Sequence, residues 1–233
     1  MSKKLKIKGV IIPNDYKWVY DWFEMDSTCP KDVDDFISSL NGEDIEVEIN
    51  SGGGDVYSGS EIYTILKSYT GDVHTKITGV AASAASVIAM AGKKVSISPT
   101  AQIMIHNVSS MVGGDYRDLQ HEADVLKNYN KSIANAYRLK TGMSEVELLK
   151  MMDEETWFNA QQALEHKLVD EVLFDDQLQL VASVGSSLMI PLEVINKMRN
   201  TIKNPINSEK NESDILMAKF NYLKLKGDVK HEV

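Results

Sequence analysis

Four features of this 233-residue chain have the residue types and spacing to do chemistry: a serine among small residues, a histidine closing an apolar run, three consecutive glycines and a short block of carboxylates. Ser83 stands in Gly79-Val80-Ala81-Ala82-Ser83-Ala84-Ala85-Ser86, directly after an alternating segment. A serine on a sharp strand-to-helix turn between small neighbours projects its hydroxyl clear of the backbone, and the next N–H can face the same reacting oxygen. The competing description of this stretch is a small-residue helix packed closely on its neighbour. Ser86 lies one helical turn further in, where it would point into packing, so Ser83 is the better nucleophile. His106 ends the run Ile103-Met104-Ile105 and is placed to serve as a base, although a histidine beside a core strand can also be purely structural. The other four histidines are weaker candidates: His74 within a strand, His121 and His166 on charged helices, and His231 in the tail.

The run Asn50-Ser51-Gly52-Gly53-Gly54 follows an alternating segment and precedes a helix, which exposes backbone N–H groups suited to an anion or a developing oxyanion. A phosphate loop would place a lysine after the glycines, and Asp55 stands there instead; taken alone, the run is equally a tight turn. The cluster Asp153-Glu154-Glu155 precedes Trp157-Phe158 and can be a solvated helix end or a source of catalytic carboxylate. Paired carboxylates also serve glycosidic chemistry, but nothing else in the chain supports a sugar site. No spacing of histidine, cysteine and carboxylate suggests a metal site.

The elements that must position these residues follow from periodicity. Lys6–Ile12 reads as a first strand, and apolar residues three and four apart from Val33 to Leu40 predict a helix. Asp44–Ile49 alternates as a strand that the glycines should break, and Asp55 caps a helix running to about Tyr69. Strands are expected at Val73–Thr78, Lys94–Ile97 and Gln102–Ile105. A long helix opens at Gly113-Gly114 and runs through Leu139; a Ser144–Glu147 capping box starts another, and a last helix covers about Asn159–Lys167. Strand and helix in alternation predict an α/β fold with a largely parallel sheet. From about residue 186 the chain turns polar and breaker-rich, so residues 1–185 are expected to form the domain. Residues 186–233 then form a polar linker and an amphipathic helical tail carrying Ile215, Leu216, Phe220, Leu223 and Leu225.

Composition narrows the function. A net charge of −9, from 34 acidic and 25 basic residues, argues against a nucleic-acid surface, which needs clustered lysine and arginine. The single cysteine, Cys29, cannot form an internal disulfide, which favours a reducing compartment. No secretory segment is evident at the start, and Ile77–Gly92, the most apolar stretch, is too short to span a bilayer. The expectation is a soluble cytoplasmic protein.

In combination these segments resemble the Clp protease proteolytic subunit family. Ile49-Asn50-Ser51-Gly52-Gly53-Gly54 is similar to the family's Ile-Asn-Ser-Pro-Gly-Gly loop, with Gly52 in place of proline. Gly79–Ser83 is similar to its Gly-x-Ala-Ala-Ser motif, Ile103–His106 to its histidine motif, and Thr141-Gly142 and Ala160–Asp170 to later landmarks. The resemblance covers roughly residues 5–175. It implies the ClpP/crotonase-type fold of stacked βαβ units, with Gly113–Leu139 as a protruding helical handle, and a helical or disordered C-terminal tail. It implies a serine endopeptidase with Ser83 as nucleophile and His106 as general base. Gly54 and Ala84 would supply the oxyanion hole through their N–H groups, with Gly53 shaping the loop. The family's third residue is usually Asp; the matching position holds Glu155, with Asp153 as rival. The resemblance further implies no cofactor and no metal, and a homo-oligomer of heptameric rings, stacked in pairs. Its partners would be a protein or peptide substrate and either an ATP-dependent unfoldase or a capsid or scaffold protein. The His106-Asn107-Val108 continuation, together with the polar tail, looks more like the proteases of phage and prophage head modules than like housekeeping members. Two other readings stay open: a crotonase-type acyl-CoA enzyme, which would leave Ser83 and His106 without paired roles, and a non-catalytic ring or scaffold subunit.

Overall fold

The computed structural model describes residues 3–174. The expected boundary near residue 185 and the linker and tail of residues 186–233 lie outside the described residues. In chain order the elements are β1 (Lys3–Ile11), a 3-10 turn at Asn14–Tyr16, α1 (Lys17–Trp22), β2 (Ser27–Thr28), α2 (Pro30–Ser38), β3 (Ile45–Gly54) and α3 (Val56–Ser68). Then come β4 (Val73–Ala82), α4 (Ala84–Ala89), β5 (Lys94–Ile97), β6 (Gln102–Ile105), α5 (Tyr116–Thr141), α6 (Glu145–Asp153), β7 (Thr156–Asn159), α7 (Ala160–Glu165) and β8 (Glu171–Val172).

The sheet runs β2-β1-β3-β4-β5-β8, and every pairing along it is parallel. Its centre is β4, which pairs with β5 through residues 74–77 and with β6 through residues 80–82. The sheet therefore forks along β4, and β6 adds β7 antiparallel as a further strand. The two central strands alternate, so each turns every second side chain of its first half into the core. Ile45, Val47 and Ile49 of β3 and Val73, Ile77 and Ala81 of β4 are accordingly buried, with α4 contributing Ala85, Val87, Ile88 and Ala89 to the same core. Among the described residues no helix is long and apolar enough to cross a membrane.

Three expectations need correction. The glycine run does not end β3: the strand continues to Gly54, with Val10 opposite Gly53 and Ile11 opposite Gly54 across a register shift. The backbone turns to positive φ at Gly53 (94°) and Gly54 (150°), so the run is a bulged, twisted strand end rather than a loop. The short α1 was not visible in the periodicity, because its Lys-Trp-Val-Tyr-Asp-Trp sequence buries none of its residues. The long helix begins at Tyr116 rather than at the glycines, since Asp115 caps it by accepting from the Arg117 and Asp118 N–H groups. Within α5 the buried positions begin at Asn130, whereas Tyr116 and Leu119 are exposed.

The glycines give a direct test of why this strand end is glycine-rich. A Cβ at Gly54 would lie 2.1 Å from the Ile11 carbonyl oxygen, whereas one at Gly52 would meet nothing within 4 Å. Gly54→Ala should therefore lower stability by more than about 2 kcal/mol, and Gly52→Ala by under about 0.5 kcal/mol, as read by thermal and denaturant unfolding. Equal effects would contradict the assigned geometry.

Candidate active site

Parallel pairing brings the serine and histidine motifs to one end of the sheet. Val80 lies opposite Gln102, Ala81 opposite Ile103 and Ala82 opposite Met104, so the next residues out are at the same carboxyl edge. The Ser83 N–H donates to the Met104 carbonyl at 3.0 Å and closes the ladder one step beyond the strand. Ser83 then takes φ 54° and ψ −127°, a backbone conformation rare for a residue with a side chain, and α4 begins at once. Its Oγ lies 2.8 Å from Nε2 of His106. Both residues are half-buried, and they line one cleft of about 330 Å³ together with Gly54, Ala84 and residues of α5.

The glycine-rich strand end is held against this turn by a set of specific contacts. A Cβ on Gly53 would lie 2.7 Å from that of Ser83 and 3.0 Å from the Ala84 nitrogen, so the backbone of β3 reaches the serine turn only as glycine. Ser51 Oγ donates to the Gly9 carbonyl at 2.6 Å and accepts from the Gly53 N–H at 3.1 Å. Where the β3–β4 register shifts, Asn50 Oδ1 accepts from the Val80 N–H at 3.1 Å. A Cβ on Gly79 would collide with that same amide at 2.4 Å. Asn50, Ser51 and Gly79 thus have structural work that inspection of the sequence alone did not assign.

The turn is also anchored from below. Ser86 is fully buried, as expected of a packing residue; its Oγ donates to the Ser83 carbonyl at 2.6 Å and lies 2.7 Å from the Tyr137 hydroxyl. Burial holds the Tyr137 phenol far above its ordinary pKa, so it stays neutral. α3 approaches α4 through Gly59, where a Cβ would meet that of Ala84 at 2.8 Å. Beyond the histidine, the Val108 N–H donates to Asn130 Oδ1 at 2.9 Å, fixing the strand exit to α5.

The carboxylates are placed differently. β6 and β7 pair antiparallel with Ile105 opposite Thr156, which sets Glu155 across from His106 one step beyond the ladder. The Glu155 carboxylate accepts instead from Trp157 Nε1 at 3.2 Å, on a residue with φ 49°. Asp153 accepts from Asn107 Nδ2 at 2.7 Å. The structure therefore brings Ser83, His106, Gly54 and Ala84 together. Among the described residues it puts neither Glu155 nor Asp153 in hydrogen-bonding contact with the imidazole. No group of histidine, cysteine and carboxylates suited to a metal ion occurs among the described residues.

An α/β fold that delivers a serine–histidine contact to the carboxyl edge of a parallel sheet, beside a glycine-only strand end, defines a class of protein. The family model of the Clp protease matches residues 36–176, more than half of the sequence. The chain belongs to the Clp protease family. It is 37% identical over 133 residues to the ATP-dependent Clp protease proteolytic subunit 2 of Thermobifida fusca, covering 56% of this chain and 65% of the relative. Similarity to the ATP-dependent Clp protease proteolytic subunit of Bacteroides fragilis is 36% over 134 residues, 57% of this chain and 65% of that protein. In both comparisons this chain spans just under two thirds of the relative's length. A ClpP1 mutant from Listeria monocytogenes shares the fold with a TM-score of 0.61 at 24% identity, over 73% of this chain and 91% of that one.

The Asn130 anchor can be tested. Asn130→Leu keeps the volume but leaves the Val108 N–H without its acceptor, which should cost about 1–3 kcal/mol in denaturant unfolding. Amide exchange at Val108 should quicken more than exchange in β3. An unchanged rate at Val108 would show that the contact does not hold this segment.

Proposed function

We propose that this chain is a serine endopeptidase in which Ser83 is the nucleophile and His106 its general base. The 2.8 Å contact between Ser83 Oγ and His106 Nε2 carries the reading. Ser83 attacks the scissile carbonyl while Nε2, unprotonated in the Nδ1–H tautomer, takes the hydroxyl proton. The proton passes to the leaving amine as the C–N bond breaks, and water then hydrolyses the acyl-enzyme by the same base. The backbone N–H groups of Gly54 and Ala84, both at the cleft, are assigned to the oxyanion, with Gly53 shaping the approach. Each such donor is typically worth about 10²–10³ in rate.

Glu155 is assigned the role of orienting the imidazole, ahead of Asp153. Its support is the antiparallel register that sets residue 155 opposite His106, one step beyond the ladder. Asp153 is already engaged by Asn107. The family relationship further supports a homo-oligomeric ring of seven subunits, stacked in pairs and enclosing the clefts. The relatives named ATP-dependent proteolytic subunits support an ATP-driven unfoldase as feeder. The His106-Asn107-Val108 continuation, together with the polar C-terminal sequence, supports a role in phage prohead maturation, with a capsid or scaffold protein as substrate. The acyl-CoA and scaffold readings gain no support, since each leaves the serine–histidine contact without a purpose.

Hydrolysis of casein and of short fluorogenic peptides should fall about 10⁴-fold or more in Ser83→Ala and in His106→Ala, with far-UV circular dichroism unchanged. Unaltered hydrolysis in Ser83→Ala would refute the assignment. For the third residue, Glu155→Gln should lower kcat by about 10² or more while Asp153→Asn keeps most activity; the reverse order would transfer the role to Asp153.

A further inference from the structure

The cleft at Ser83 changes character along its length. Val87, Ile133 and Tyr137 line it at the serine end, and Val125 and Leu126 continue the apolar wall along α5. Further down the same helix face stands Glu122, a half-buried residue whose Oε1 accepts from Ser110 Oγ at 2.5 Å. Among the described residues, its second oxygen has no donor and no lysine or arginine lies within ion-pairing distance of it. Two carboxylates, Asp55 and Glu122, line the cleft, and no lysine or arginine does. Asp55 is already used in capping α3, where it accepts from the Ser58 N–H and hydroxyl. Glu122 is therefore the acid left for a ligand.

The strand exit after His106 runs alongside this wall, fastened to α5 at Asn130 through Val108 and at Glu122 through Ser110. Eleven residues of helix separate Ile133 from Glu122, about 16 Å at the α-helical rise. An extended peptide covers that distance in about five residues. A lysine or arginine side chain shortens the interval by its own reach and can lay its apolar stem along Val125 and Leu126.

We propose that Glu122 is a specificity-determining residue that selects substrates carrying a lysine or arginine about three to five residues from the scissile bond. This rests on the peptidase reading of the cleft, but it makes a binding claim that can be tested apart from catalysis. Four peptides share one apolar cleavage site: one pair carries arginine or glutamine about four residues away on the amino side, the other pair on the carboxyl side. Binding to the full-length Ser83→Ala protein is followed by fluorescence anisotropy, and cleavage by the unaltered protein as kcat/KM. On one side the arginine peptide should be favoured about three- to fivefold at low salt, with the preference shrinking as sodium chloride is raised. The ratio should fall to about one in Glu122→Gln and reverse in Glu122→Lys. Equal binding of arginine and glutamine peptides on both sides, or a preference that survives Glu122→Gln, would overturn the proposal. A Glu122-dependent binding preference without any cleavage would uphold Glu122 as the binding site for the basic residue while removing the peptidase reading.

Discussion

The site depends on the hydrogen bond from the Ser83 N–H to the Met104 carbonyl, which continues the parallel β4–β6 ladder one residue past the end of β4. Because the two strands run the same way, a fixed register makes their exits neighbours, and residues 23 positions apart in sequence meet at 2.8 Å. Ser83, next to that bond, takes a positive φ. Such a conformation typically costs about 1–3 kcal/mol and persists only where the surroundings over-determine it. Here they do: the Ser86 hydroxyl holds the Ser83 carbonyl, Tyr137 holds Ser86, and Gly53 leaves room for the turn.

Much of the sequence around the site follows from that constraint. β4 must fork, pairing with β5 and then β6, so the β3–β4 ladder slips at its far end. Asn50 repairs the slip with its side-chain amide, which requires the glycine at position 79. The bulged end of β3 then reaches the serine turn through Gly53, and α3 and α4 close up through Gly59 against Ala84. Small residues recur in these motifs because four backbone segments converge where any Cβ would intrude. A flexible arrangement could not keep an imidazole and a hydroxyl in register without repeated cost in conformational entropy.

How much of this was legible in the sequence varies with the range of the interaction. Ser83 and His106 could be found because each sits where a short local pattern ends, an alternating strand running into small residues or into polar ones. The helices from Asp55, Ser144 and Asn159 were readable from capping side chains that accept from their own first turns. At the glycine run local propensity favours a turn, while pairing with β1 keeps it in the sheet. α1 escaped because its apolar residues do not face the core. The anchors Asn130 and Tyr137 act across separations of 22 and 51 residues, which no local pattern reports. The carboxylates were the least legible: register sets residue 155 opposite His106, but its side chain accepts from Trp157 and Asp153 accepts from Asn107.

The most direct measurement of the central claim is the second-order rate constant for phosphonylation of Ser83 by a fluorophosphonate, compared between the unaltered protein and His106→Ala. If the Ser83–His106 contact activates the hydroxyl, the rate constant falls by about 10³ or more while unfolding stability stays close to that of the unaltered protein. A rate constant within a few-fold of the unaltered protein's would contradict the account, because the histidine would then be a neighbour of the serine and not its base.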